Sequence, residues 1–324
     1  MAVVVVLRAL GLGDLLTGVP ALRALRRAHR SDRLVLAAPR QFTQLAHWTG
    51  AVDDVVDTTG LGRLDWHGPA PDLAVNLHGS GPQSIADLVG THPGQLLTHQ
   101  HDDYPDLPGP VWDEGLHEVD RWCRLVEYGG CPADRDDLRL IRPGGDVGAG
   151  TVVVHPGAAS AARRWPADRF AAVAGHLHRA GHTVVVTGSP AERSLAEEIV
   201  ESAGLPQSSM VAGDSTVVEL AARVAGASLV ICGDTGVGHL ATAFATPSVL
   251  LFGPTPPQLW GPPAEDPRHR VLWHGSTGDP HGRRPDPGLL EISVDEVVAA
   301  VEEQLGAAAP LPTGVSTGRS VGSR

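Results

Sequence analysis

Short runs of Val, Ile and Leu, each followed by a helical pattern, constrain this chain more than any other feature. In the first half they are Ala2–Leu7, Arg33–Ala37, Val52–Val56 and Leu73–Leu77. In the second half they are Thr151–His155, Thr183–Thr187, Ser228–Cys232 and Ser248–Phe252, with a weaker run at Ser209–Ala212. Runs this short and this apolar suit strands buried on both faces, the situation in parallel sheets flanked by helices. Between the halves, "RPGGDVGAG" at residues 142–150 is rich in glycine and without period, so it reads as a linker. The expectation is α/β: two doubly wound domains, residues 1–145 and 146–306, facing one cleft. Residues 307–324, small and polar, are expected to be a disordered tail. Ligands of open α/β sheets bind at the carboxyl ends of the strands, so function belongs in the loops that follow them.

The formal net charge of −12 argues against nucleic acid as a partner. No apolar run approaches the ~20 residues of a membrane span. Ala2–Leu7 is too short for a signal-peptide core and lacks a basic lead-in. The three cysteines, Cys123, Cys131 and Cys232, lack metal-ligand spacing and suit a reduced interior. A cytoplasmic protein is expected. All 25 cationic Lys-or-Arg positions are arginine, so any role that lysine usually holds must pass to arginine.

Three strand-loop-helix junctions carry the chemistry. In "LRALGLGDLLTGVPALRALRRAH", residues 7–29, a glycine turn opens a helix, yet the third glycine of a dinucleotide fingerprint and the lysine of a P-loop are both missing. Asp14 stands at that turn, either as a helix cap or as a catalytic carboxylate. Pro20 further along should kink the helix. In "VICGDTGVGHLATAFATPSVLLFGPTPPQLWGP", residues 230–262, Gly233, Asp234, Thr235 and Gly236 turn into a helix carrying His239. Glycine lets backbone approach a ligand, Thr235 and free amides suit diphosphate, and Asp234 suits sugar or ribose hydroxyls. In "HPGAASAARRWPADRFAAVAGHL", residues 155–177, Arg163 or Arg164 could neutralise a diphosphate, and Glu192 beyond the next strand could bind a ribose diol. The sixteen histidines show no H-E-x-x-H arrangement, so no metal and no other cofactor is expected. Residues 101–120 hold seven acids, with Tyr104 and Trp112 among them. They read as a solvated loop, or, if they border the cleft, as a field that favours a cationic acceptor.

Together these stretches resemble glycosyltransferase family 9, the heptosyltransferase family. The resemblance rests on "LGDLLTGVPALRALR", "DLAVNLHGS", "HEVDRWCRLVEYGG", "HPGAASAARRWPADRFAAVA", "GSPAER" and "GDTGVGHLATAFATPSVLLFGPTPPQLWGP". It implies a GT-B fold and inverting, metal-independent transfer from a nucleotide sugar, ADP-heptose or similar, to an acceptor hydroxyl. It implies that Asp14 is the general base and that Arg163 takes the place of the family's phosphate-binding lysine. Ser160, Glu192, Asp234, Thr235, Gly236 and His239 match donor-site positions. Two other readings share the architecture: a nucleotide-sugar epimerase or hydrolase, and a non-catalytic nucleotide-sugar binding protein.

Overall fold

The computed structural model describes residues 1–144 and 149–308. Its first half is built from β1 (Val3–Leu7), α1 (Leu12–Thr17), α2 (Val19–Ala28), β2 (Arg33–Ala38), α3 (Thr43–Trp48), β3 (Asp54–Asp57), β4 (Leu73–Asn76), α4 (Pro82–Val89), β5 (Gln95–Leu97) and α5 (Glu118–Tyr128). The second half adds β6 (Val152–His155), α6 (Ala167–Arg179), β7 (Val184–Val186), α7 (Arg193–Ser202), α8 (Val217–Gly226), β8 (Leu229–Gly233), α9 (Gly236–Phe244), β9 (Ser248–Leu251), α10 (Pro257–Trp260), β10 (His269–Leu272), α11 (Pro287–Glu291) and α12 (Val294–Ala308).

The strands form two five-stranded parallel sheets, ordered β3-β2-β1-β4-β5 and β10-β9-β8-β6-β7. Every residue of β1, β6 and β8 is buried, as uniformly apolar central strands require. Strand order reverses between β1 and β4 in one sheet and between β6 and β8 in the other. At such a reversal two neighbouring loops part and leave a crevice. The loops after β1, β4, β6 and β8 therefore frame the site.

The structure departs from the sequence reading in places. The run Val52–Val56 yields strand only from Asp54 to Asp57, and Ser209–Ala212 gives a 3-10 turn and a single bridge from Met210 to Val186. The helix expected to kink at Pro20 instead breaks at Gly18, placing Pro20 in the first turn of α2, where a missing N–H costs nothing. Four residues of the expected linker, 145–148, lie outside the described residues. Helix α12 continues to Ala308, past the start of the expected tail, and residues 309–324 lie outside the described residues as well. Among the described residues no helix is long and apolar enough to cross a membrane.

Candidate active site

On the first sheet, β1 delivers Arg8 into the interior, where its side chain is wholly buried. Its Nε donates to the Asp14 carbonyl and its Nη1 to the Leu77 carbonyl. Its Nη2 donates to Thr17 Oγ1 at 3.0 Å and to Glu118 Oε1 at 3.2 Å, and the guanidinium lies 4.6 Å from the centre of the Trp122 ring. Gly18 is required here, because a Cβ would lie 3.1 Å from both Arg8 Cδ and Nε. Arg8 thus clamps α1 by taking the Asp14 carbonyl near its start and the Thr17 hydroxyl at its end. Asp14, in the first turn of the same helix, accepts from the Gly11 N–H at 3.1 Å and keeps 28% of its side chain exposed. Burial pushes its carboxyl above the ordinary range, Arg8 at 3.9 Å opposes this, and Glu118 adds to it. Near Arg8, His78 accepts from the Ala9 N–H at 3.2 Å and is pushed down to about 4 by burial and then by Arg8.

On the second sheet, Asp234 follows β8 and is buried against Arg163, with Oδ2 to Nη1 at 3.6 Å. Burial raises the Asp234 carboxyl, and Arg163 and then Thr255 oppose it. Arg163 Nε is buried with no hydrogen-bond partner among the described residues, so this donor remains available to a ligand. Thr235 caps α9, accepting from the Val237 N–H at 3.3 Å. Glu192 accepts from both the backbone N–H and the hydroxyl of Ser189 at 2.8 Å, and its carboxylate leans over Gly157, where a Cβ would lie 2.1 Å from Oε1. Glu192, His155, Ala158, Thr235 and Gly236 share a cavity of about 800 Å³ with Val217, Val218 and, from the first sheet's side, Leu12, Gln41 and Phe42. Burial lowers His155, with Glu192 opposing, so the wall is neutral there.

The two halves meet where α1 packs on α9. A Cβ at Gly236 would lie 2.8 Å from Leu12 Cβ and 3.0 Å from the Gly13 nitrogen, and one at Gly13 would lie 3.0 Å from His239 Cδ2. These glycines let two helices approach, a use distinct from the ligand contact expected of Gly236. Gly236→Ala should therefore force the halves apart and slow turnover about tenfold or more, since a displacement of about 1 Å can cost a hundredfold. Turnover and circular dichroism measured together check this: lost activity with intact secondary structure is expected, and wild-type activity would contradict the close contact.

His239 lies behind this contact. Burial lowers it to about 4, with His117 and Arg8 adding to the effect, so it is neutral. It lines a second cavity, of about 350 Å³, with Thr17, His117, Asp120, Thr242 and Pro257, rather than the larger one with Glu192. His117, whose Nδ1 accepts from the Val119 N–H, donates from Nε2 to the Gly261 carbonyl at 3.0 Å, a further tie between the halves. Ser160 is spent on a distant loop, its hydroxyl donating to the Pro280 carbonyl, and Arg164 binds the Ala158 carbonyl of its own loop at 2.8 and 3.0 Å. The structure thus gathers Glu192, Thr235 and Gly236 at one cavity, pairs Arg163 with Asp234, and sets Asp14 on α1 next to the Gly13 that meets Gly236.

The acidic stretch is divided between two places, with Asp120 at its end lining the smaller cavity. Gln100 bonds the Pro110 carbonyl, and Leu107 and Pro108 reach Ala2, Asp72 and Gly94, at the opposite end of the strands. Glu118 is buried on Arg8 and Arg121, Asp120 pairs with Arg135, and Trp112 packs on His99 and Trp122. Among the described residues, no group of three or more His, Cys, Asp or Glu is placed to hold a metal ion. The sequence reading missed Arg8, Glu118 and Trp122 as a unit. Its available signals were an arginine directly after an apolar strand and the i, i+4 spacing of Glu118 and Trp122.

Over 180 residues the chain is 32% identical to lipopolysaccharide heptosyltransferase 3 of Escherichia coli, covering 54% of this chain and 52% of that protein, so it spans about half the length of the curated relative it matches. The structure of E. coli ADP-heptose LPS heptosyltransferase II superposes with a TM-score of 0.77 at 19% identity, over 95% of this chain and 99% of that one. E. coli heptosyltransferase WaaC with ADP gives 0.69 at 19% identity, over 93% and 99%. These likenesses carry the GT-B fold of two Rossmann-like domains. The profile of glycosyltransferase family 9 (heptosyltransferase) matches residues 113–281, just over half of the chain. With that match added to the paired sheets, the chain belongs to glycosyltransferase family 9, the heptosyltransferase family.

Proposed function

We propose that this chain is an inverting glycosyltransferase that moves a sugar, a heptose, from an ADP-activated donor to the hydroxyl of a glycan acceptor. The observation that carries the reading is the approach of two junctions where α1 packs on α9: a half-buried carboxylate on one and an arginine with a free donor on the other. Asp14 accepts the proton of the acceptor hydroxyl while that oxygen bonds to the anomeric carbon. The bond from that carbon to the diphosphate breaks, and ADP leaves with the electron pair. Arg163 and the N-terminus of α9 meet the charge that grows on the leaving group. Glu192 holds the ribose diol, with the base against Val217, Val218 and Phe42. Similar proteins support the donor and the acceptor class: a relative is a lipopolysaccharide heptosyltransferase, and a structural neighbour is solved with ADP. Three free, buried thiols suit a reducing compartment, and a cytoplasmic location is part of the reading.

The test is mass spectrometry of ADP-heptose incubated with the protein and a panel of glycan acceptors. One ADP released per glycosylated acceptor is expected. Free sugar formed equally fast without acceptor would make the protein a hydrolase. The reading also requires no divalent metal, since Asp234 is engaged by Arg163 and the positive field comes from that arginine and α9. Full activity in excess EDTA is expected, and a strict Mg²⁺ or Mn²⁺ requirement would overturn this account of the leaving group.

A further inference from the structure

Two carboxylates compete for one buried guanidinium. Glu118 is the better served: its Oε1 accepts from Arg8 at 3.2 Å and from Trp122 Nε1 at 2.7 Å, and its Oε2 accepts from Arg121. Asp14 accepts only from backbone N–H groups, those of Gly11 and of its own residue, and stands 3.9 Å from the same Arg8. A base held bidentately by arginine would be too weak to take a proton, and a buried base without any cation would stay protonated. The arrangement lies between these limits, and it is fixed by the contacts Arg8 makes to β4, α1 and α5.

We propose that Arg8 is a positioning residue for the transfer reaction: it locks the turn that carries Asp14 and lends it a positive charge, which Glu118 holds in check. The proposal rests on the reading of Asp14 as the base. The charged groups that act on Asp14 are Arg8 from the end of β1 and Glu118 from α5, the latter paired with Arg121, while His78 after β4 and His239 on α9 lie within the field of Arg8. The two histidines, lowered to about 4, are neutral above that pH and leave the balance to Arg8 and Glu118.

The experiment is the pH dependence of kcat for the wild type, Glu118→Gln, Arg8→Met and Asp14→Asn, with folding checked by circular dichroism. Turnover falls on the acid side as Asp14 takes up a proton. Glu118→Gln removes a negative charge and is expected to move that limb down by about one pH unit, while Arg8→Met removes a positive one and moves it up by a similar amount. The donor KM should stay constant in both, which a general loosening of the fold would not give. If Arg8→Met fails to fold, Glu118→Gln decides alone, because its shape is conserved. An unmoved limb, with Asp14→Asn slow, overturns this inference and leaves the base intact. Wild-type turnover in Asp14→Asn overturns both.

Discussion

Asp14→Asn is expected to bind ADP as the wild type does and to turn over about 10²–10⁴-fold more slowly, the range for losing a general base. The amide keeps the size of the carboxylate, and its oxygen can still accept from the Gly11 N–H, so the first turn of α1 should survive. Lost is the basic oxygen lone pair that would take the acceptor proton. Burial raises the Asp14 carboxyl, with Arg8 opposing and Glu118 adding, so the acid limb of wild-type activity should lie above the ordinary carboxylate range. Calorimetry with ADP and a turnover assay on the same preparation separate binding from chemistry. Equal turnover at saturating acceptor would reduce Asp14 to a helix cap, worth ~1 kcal/mol of stability.

Arg163→Ala is expected to weaken ADP binding about 10- to 100-fold, the worth of a hydrogen bond to a charged group, and to slow transfer further. Two effects combine. The diphosphate loses its cationic partner, and Asp234 is left buried without the guanidinium 3.6 Å away. The second effect has its own signature. Without Arg163 the raised Asp234 carboxyl should rise further, so ADP affinity in the alanine variant should depend on pH where the wild type's does not. Arg163→Lys should recover much of the loss, because a charge returns to the same place. Calorimetry showing unchanged ADP affinity for Arg163→Ala, with unchanged rate, would remove this residue from the site. Arg164 does not inherit the role, since both of its bonds to Ala158 hold it against its own loop.

The central strands were legible in the sequence because burial on both faces demands unbroken apolar runs, as in "VVVVL" of β1 and "LVICG" of β8. β5, "QLL", and β10, "HRVL", escaped notice: they sit at sheet edges, where half-exposure relaxes that demand. The junctions bearing Asp14 and Asp234 were legible through their glycines, but the purpose of Gly236 was not. A glycine admits a phosphate or a neighbouring helix equally well, and only the fold brings Leu12 against it. Arg8 was illegible for a similar reason. Its partners Leu77 and Glu118 lie 69 and 110 residues away, and no local pattern announces a buried ion pair formed across such distances. The acid-rich stretch was only partly legible because composition gives charge without direction. Asp113, Glu118 and Asp120 each pair with an arginine, and Leu107 and Pro108 turn toward the far end of β1.

A crystal structure with an ADP-2-deoxy-2-fluoro sugar tests the central claim most directly, because the slowed donor reports both the nucleotide site and the reacting carbon. The account predicts the ribose at Glu192, the diphosphate at Arg163 and the start of α9, and the anomeric carbon facing Asp14 with room for one acceptor oxygen between them. A nucleotide seated instead beside His117 and Pro257, or an anomeric carbon turned away from Asp14, would contradict it.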